Sequence, residues 1–149
     1  MAVALYCLWL WQPERQVLKH QAHFLATAES RSWTKFASFI DPQYSDRWKH
    51  DKPFIVRETS EWLRQFFSLT IQSDVVSLDL SDARGTVTAH IKLDGNGTAL
   101  ATMAQNEVNA ITEPFVFEWT RKSWKPWDWK LTRADNADPR FSAQMNSGF

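Results

Sequence analysis

The hydrophobic pattern of this chain changes period once, near Ile71, and that change limits the fold more than any other feature. Before it, apolar residues recur every three or four positions, as on one side of a helix. After it they alternate, as on one face of a strand. Helices followed by alternating strands describe an α+β domain with helices gathered on one face of an antiparallel sheet. With 149 residues, one domain is expected.

Three helical segments precede the change. Pro13 and Glu14 suit a helix start, and Val17, Gln21, Phe24, Leu25 and Ala28 carry the stripe to residue 29. A short second helix presents Trp33, Phe36, Ala37 and Ile40, capped by Ser30 or Ser32 and stopped by Asp41-Pro42. The third starts at Asp51-Lys52-Pro53. Its stripe is Ile55, Thr59, Trp62, Phe66 and Leu69, with Glu58, Glu61 and Arg64 on the other side.

In the strand half, Val76, Leu78 and Leu80 lead through the turn Ser81–Gly85 to Val87, Ala89, Ile91 and Leu93. Asp94-Gly95-Asn96-Gly97 has the chemistry of a turn. Residues 98–112 are expected to form an irregular or helical excursion. A closing hairpin then points Phe115, Phe117 and Trp119, and on its return Trp127, Trp129 and Leu131, toward the core. Residues 135–149 carry little pattern and are expected to be a loose tail.

Composition narrows the functions. The 17 basic and 17 acidic residues cancel, which argues against a nucleic-acid partner despite the basic turn around Arg121, Lys122 and Lys125. His20 and His23 lie three apart, but no further ligands stand nearby, so no metal site is expected. No glycine-rich phosphate loop or other cofactor motif occurs, and no cofactor is expected. Cys7 is the only cysteine and excludes an intrachain disulfide. Aromatic residues make up 14% of the chain, suiting a core or the lining of an apolar pocket.

Ala2–Trp11 is an uncharged apolar decamer, too short to span a bilayer, which takes about 20 residues. It reads either as a short or clipped membrane anchor with Trp9 and Trp11 at the interface, or as a segment packed on the domain or a partner. The anchor is favoured, and with it a membrane-attached rather than cytoplasmic location. The segments are then 1–12 as possible anchor, 13–134 as the folded domain and 135–149 as tail.

The order of elements over residues 13–134 resembles the nuclear transport factor 2-like superfamily, a cystatin-like α+β cone shared by ketosteroid isomerase, scytalone dehydratase and polyketide cyclases. The resemblance rests on Trp33-x-x-Phe36 in a short second helix followed by Tyr44, and on the final strand Trp129-Lys130-Leu131-Thr132. It implies three helices on a curved antiparallel sheet, with a pocket inside the cone. The pocket is expected to be lined by Trp33, Phe36, Trp62, Phe66, Phe115, Phe117, Trp119, Trp127 and Trp129. Enzymes of the superfamily hold Asp, His or Tyr in the cone, and many other members are binding or assembly domains. The inward faces of these strands carry none of those residue types, so catalytic candidates reduce to Tyr44, Asp46 and His50 at the rim. The favoured expectation is a non-enzymatic domain for a small hydrophobic ligand or a protein partner. The alternative is a cofactor-free lyase or isomerase working through the rim residues. A homodimer through the outer sheet face, around Thr88, His90 and Glu118, is the third.

Overall fold

Pro13 at the first helical position and Glu14 in the first turn start the long helix α2 (Pro13–Glu29), with the bounds that its stripe predicts. The computed structural model describes residues 1–147, and side chains up to residue 143. Ahead of α2 stands α1 (Ala2–Leu10), none of whose residues is buried. The Gln16 amide donates to the Leu10 carbonyl at 2.8 Å and ties the two helices together. Next comes the short α3 (Trp33–Ser38). Helix α4 (Lys52–Leu63) begins where Asp51 accepts the Phe54 amide N–H at 3.0 Å.

Four antiparallel strands follow in the spatial order of the sequence: β1 (Phe66–Ser81), β2 (Arg84–Gly97), β3 (Phe115–Arg121) and β4 (Trp129–Asn136). Helix α5 (Ala99–Ala110) lies between β2 and β3, and α6 (Pro139–Ser147) follows β4. The fold is α+β, with an open sheet bent by register shifts in β1 and between Glu118 and Trp119. The loop after α3 extends the sheet at β4: Ile40 bridges Leu131, whose carbonyl accepts the Asp41 N–H at 2.9 Å.

Five expectations need correction. Phe66 and Leu69 belong to β1, because the helix ends at Leu63 although its spacing runs on through Leu69. Val76 is exposed because the register shift between Val75 and Ser77 reverses the strand's alternation. Residues 94–97 are not a turn but the end of β2, paired with β1. Glycine is needed there because a Cβ at Gly95 would run into the Ser68 carbonyl. Trp127 precedes β4 and is 51% exposed instead of facing the core. Finally, the segment expected to be a loose tail holds the end of β4 and the helix α6. Asp138 starts α6 by accepting the Arg140 N–H at 2.8 Å, and only residues 148–149 of the expected loose segment lie outside the described residues.

The core forms where α2 crosses the sheet. Val17 packs so close to β2 that a Cβ on Gly85 would come within 2.9 Å of its methyl. Phe24 stacks on Phe36 at 4.7 Å, and Trp119 meets Phe24 edge-on at 5.8 Å. Asp41 is buried beside this core and holds Lys122 at 2.8 Å. Burial alone would raise the Asp41 pKa, but the Lys122 ammonium and the Gln43 N–H outweigh it and hold the carboxyl below its ordinary value. A depressed folded-state pKa stabilises the fold above the unfolded value, about 3.9, and that contribution is lost as pH falls through the folded one. Acid unfolding followed by circular dichroism should therefore show Asp41→Asn losing less stability below pH ~4 than the parent. Parallel pH profiles would contradict this account.

Candidate ligand cavity

A cavity of about 420 Å³ lies between the helices and the sheet. Leu25 and Ala28 of α2 line it with Ile55, Thr59 and Trp62 of α4. The sheet contributes Ile71, Ile91, Leu93, Phe117 and Leu131. Helix α5 brings Met103, Ala104, Glu107 and Val108, and α6 brings Phe141. Met103 is 58% exposed, so the cavity opens beside α5.

Of the residues expected to line a pocket, Phe36, Trp62, Phe115 and Phe117 do so. Trp33 instead packs edge-on against Phe36 at 5.4 Å. Phe66 is buried in the core without reaching the cavity. Trp119 and Trp129 are fully buried but do not line the cavity. The Trp119 indole N–H donates to Gln21 Oε1 at 2.8 Å, and that of Trp129 to the Pro126 carbonyl at 2.9 Å. Trp127 lies outside, with its ring 6.3 Å from that of Trp11.

The three rim candidates divide similarly. Tyr44 is buried and lines the cavity. Its hydroxyl donates to Asp46 Oδ2 at 3.2 Å and accepts the Ala134 N–H at 3.1 Å. Burial first, then the Asp46 carboxylate, raises the Tyr44 pKa well above its ordinary value. Asp46 is buried behind Tyr44, where Oδ1 accepts the N–H groups of Trp48 and His50 at 3.0 and 3.1 Å. His50 Nδ1 stands 3.8 Å from Asp46 Oδ2, and the imidazole stacks on Phe54 at 3.9 Å. Asp46 thus gathers the loop between α3 and α4, and it and His50 lie off the cavity wall.

The cavity's carboxylates come from positions that the sequence pattern does not single out. Glu58 of α4 is expected to face away from the apolar stripe, but it lies three residues after Ile55 and four before Trp62, on the side that lines the cavity, and is 3.5 Å from Arg57. Glu107 is exposed at the rim on α5. Asp135 of β4 is paired with Arg47 at 2.8 Å and Arg133 at 3.3 Å. Locating Glu107 requires first placing α5, whose start Thr98 marks by accepting the Ala101 N–H. Among the described residues, no group of three His, Cys, Asp or Glu side chains is placed to hold a metal ion.

Comparison with known proteins identifies the fold. No protein-family model matches this chain, and no curated protein does. Solved structures match across most of it. Bd1075 of Bdellovibrio bacteriovorus aligns with a TM-score of 0.61 and 10% identity over 83% of this chain, which spans only 40% of that one. A protein of unknown function with a cystatin-like fold from Nostoc punctiforme aligns at 0.59 and 11% identity, covering 85% of this chain and 91% of that one. A chain named as a candidate dehydratase of the NTF2-like family from Streptomyces avermitilis gives 0.56 and 14%, covering 80% and 91%. The protein has the nuclear transport factor 2-like, or cystatin-like, cone fold.

Proposed function

We propose that the protein binds a small, largely apolar molecule in the cone without chemically transforming it. The cavity carries this reading: about 420 Å³ lies within the usual range of small-molecule sites, and its walls are mostly aromatic and aliphatic. The polar groups at Tyr44 and Asp46 are consumed by bonds that hold the surrounding loop and strand together. They fix the shape of the pocket and leave no proton-transfer pair directed at its contents. The ligand class is a neutral hydrophobic molecule of one to three rings.

Titration with the neutral fluorescent probe N-phenyl-1-naphthylamine tests this. Ala104 lines the cavity from α5, where a larger side chain would occupy ligand space. Ala104→Phe should weaken probe binding about tenfold or more. Unchanged binding in a folded variant would place the probe elsewhere and overturn the reading.

A second reading, a cofactor-free lyase or isomerase, is favoured by one observation. Glu58 and Glu107 bring carboxylates to the cavity from two helices, in a fold shared with a candidate dehydratase. In that case a hydrophobic ligand would be turned over by the wild type, and Glu58→Gln or Glu107→Gln would stop turnover while leaving binding in place. Recovery of bound ligand unchanged after prolonged incubation would exclude turnover of that molecule.

A further inference from the structure

We propose that α1 and the turn between β3 and β4 form one membrane-binding face, which docks on a bilayer carrying anionic headgroups. Two segments far apart in sequence meet here. The Trp11 and Trp127 rings lie 6.3 Å apart, which sets the turn beside the end of α1. Trp124 in the same turn is 81% exposed. In α1, Val3, Leu5, Tyr6 and Leu8 are all more than half exposed, and no residue of the helix is buried.

The distribution of apolar groups selects the occupant. A helix seated in a protein groove covers one apolar side and keeps a polar one. The sequence AVALYCLWL has no charged residue and no polar side, so it suits a surrounding that is apolar in every direction. At about 14 Å long it can enter one leaflet of a hydrocarbon core roughly 30 Å thick. None of the described helices is long and apolar enough to cross a membrane. Indoles collect at the end nearest the domain, where a membrane interface accommodates Trp.

Charge complements the same face. Arg15 places its guanidinium 3.4 Å over the Trp9 ring, and Lys19 follows one turn later. The β3–β4 turn adds Lys122 and Lys125, with Arg121 at the end of β3. Against these stand Glu14, Asp128 and Asp41, the last paired with Lys122. The face is therefore cationic on a chain whose total charge is zero. Anionic headgroups would meet these cations while α1 enters the acyl region.

Co-sedimentation of the full chain with phosphatidylcholine vesicles, with and without phosphatidylglycerol, tests the proposal. The protein should bind, more tightly with phosphatidylglycerol and less at high salt. Leu5→Asp with Leu8→Asp should abolish binding. Trp124→Ser with Lys125→Glu, both surface changes, should weaken binding to anionic vesicles about tenfold or more while the melting curve stays in place. Failure of the wild type to bind either vesicle would overturn the proposal. So would wild-type affinity in the turn variant, which would leave α1 acting alone. A dimer seen by light scattering and dissolved by the α1 changes, without vesicle binding, would instead assign α1 to a second copy of the chain.

Discussion

Replacing Trp119 with alanine is expected to lower the unfolding free energy by about 4–5 kcal/mol. The indole is fully buried and lies against Phe24, Phe39 and His20. Its N–H is the donor to Gln21 Oε1, and Gln21 Nε2 has no hydrogen-bond partner. The substitution thus opens a large void and leaves a buried amide with no partner at either end. Domains of this kind are stable by about 5–15 kcal/mol, so the variant should be largely unfolded or melt at a much lower temperature. Trp119→Phe separates the two effects. It keeps most of the ring contact and should cost about 1–3 kcal/mol through the orphaned amide. Adding Gln21→Leu should recover much of that loss, because two apolar groups then meet where two polar ones met. Urea titration of the single and double variants reads all of this. No recovery in the double variant would mean that shape, not the hydrogen bond, sets the cost.

Asp46→Ala is expected to cost about 3–4 kcal/mol, although the residue is absent from the cavity wall. Its side chain is fully buried and accepts from the Tyr44 hydroxyl and from the N–H groups of Trp48 and His50. Removing it strands one buried and two partly buried donors and loosens the chain between α3 and α4. Tyr44→Phe removes one of those bonds and the acceptor for the Ala134 N–H, so the two substitutions should be strongly non-additive. Urea midpoints for the cycle give the coupling. Additive losses would show that Tyr44 and Asp46 act separately. Asp46→Asn keeps an acceptor for the loop N–H groups, and its folded fraction should bind the cavity probe with affinity changed by well under tenfold. A large loss of binding in that folded variant would instead assign Asp46 a direct part in ligand recognition.

The sequence makes the element order legible for local reasons. Pro13 and Asp51-Lys52-Pro53 mark helix starts, and Val87 to Leu93 alternate cleanly through β2. The errors arise where local spacing and tertiary context disagree. Phe66 and Leu69 continue the spacing of α4 by coincidence, while the chain has already turned at Arg64 and joined β2. Val76 changes face because of an irregularity in pairing, which no single strand records. Gly95 and Gly97 resemble turn residues, yet they serve close backbone approach. The tail does carry a local signal: Asp138 before Pro139 is a capping residue ahead of a favoured first helical position.

Alternation also tells which side of the sheet a residue faces, but not how deep it lies. Phe117 and Trp119 share a face, yet Phe117 borders the cavity and Trp119 lies under α2. That difference is set by where α2, α5 and α6 come to rest, through contacts distant in sequence. For the same reason Glu107 and Phe141 cannot be recognised as pocket residues before α5 and α6 are placed.

The central claim is that the cone keeps an apolar space which a ligand can enter. Crystallography of the ligand-free protein under xenon pressure tests it most directly, because xenon occupies apolar cavities without needing a polar partner. The expected result is xenon density between Trp62, Ile91 and Phe117, displaced in crystals of Ala104→Phe. A cone closed by its own side chains, with no xenon between α4 and the sheet, would contradict it.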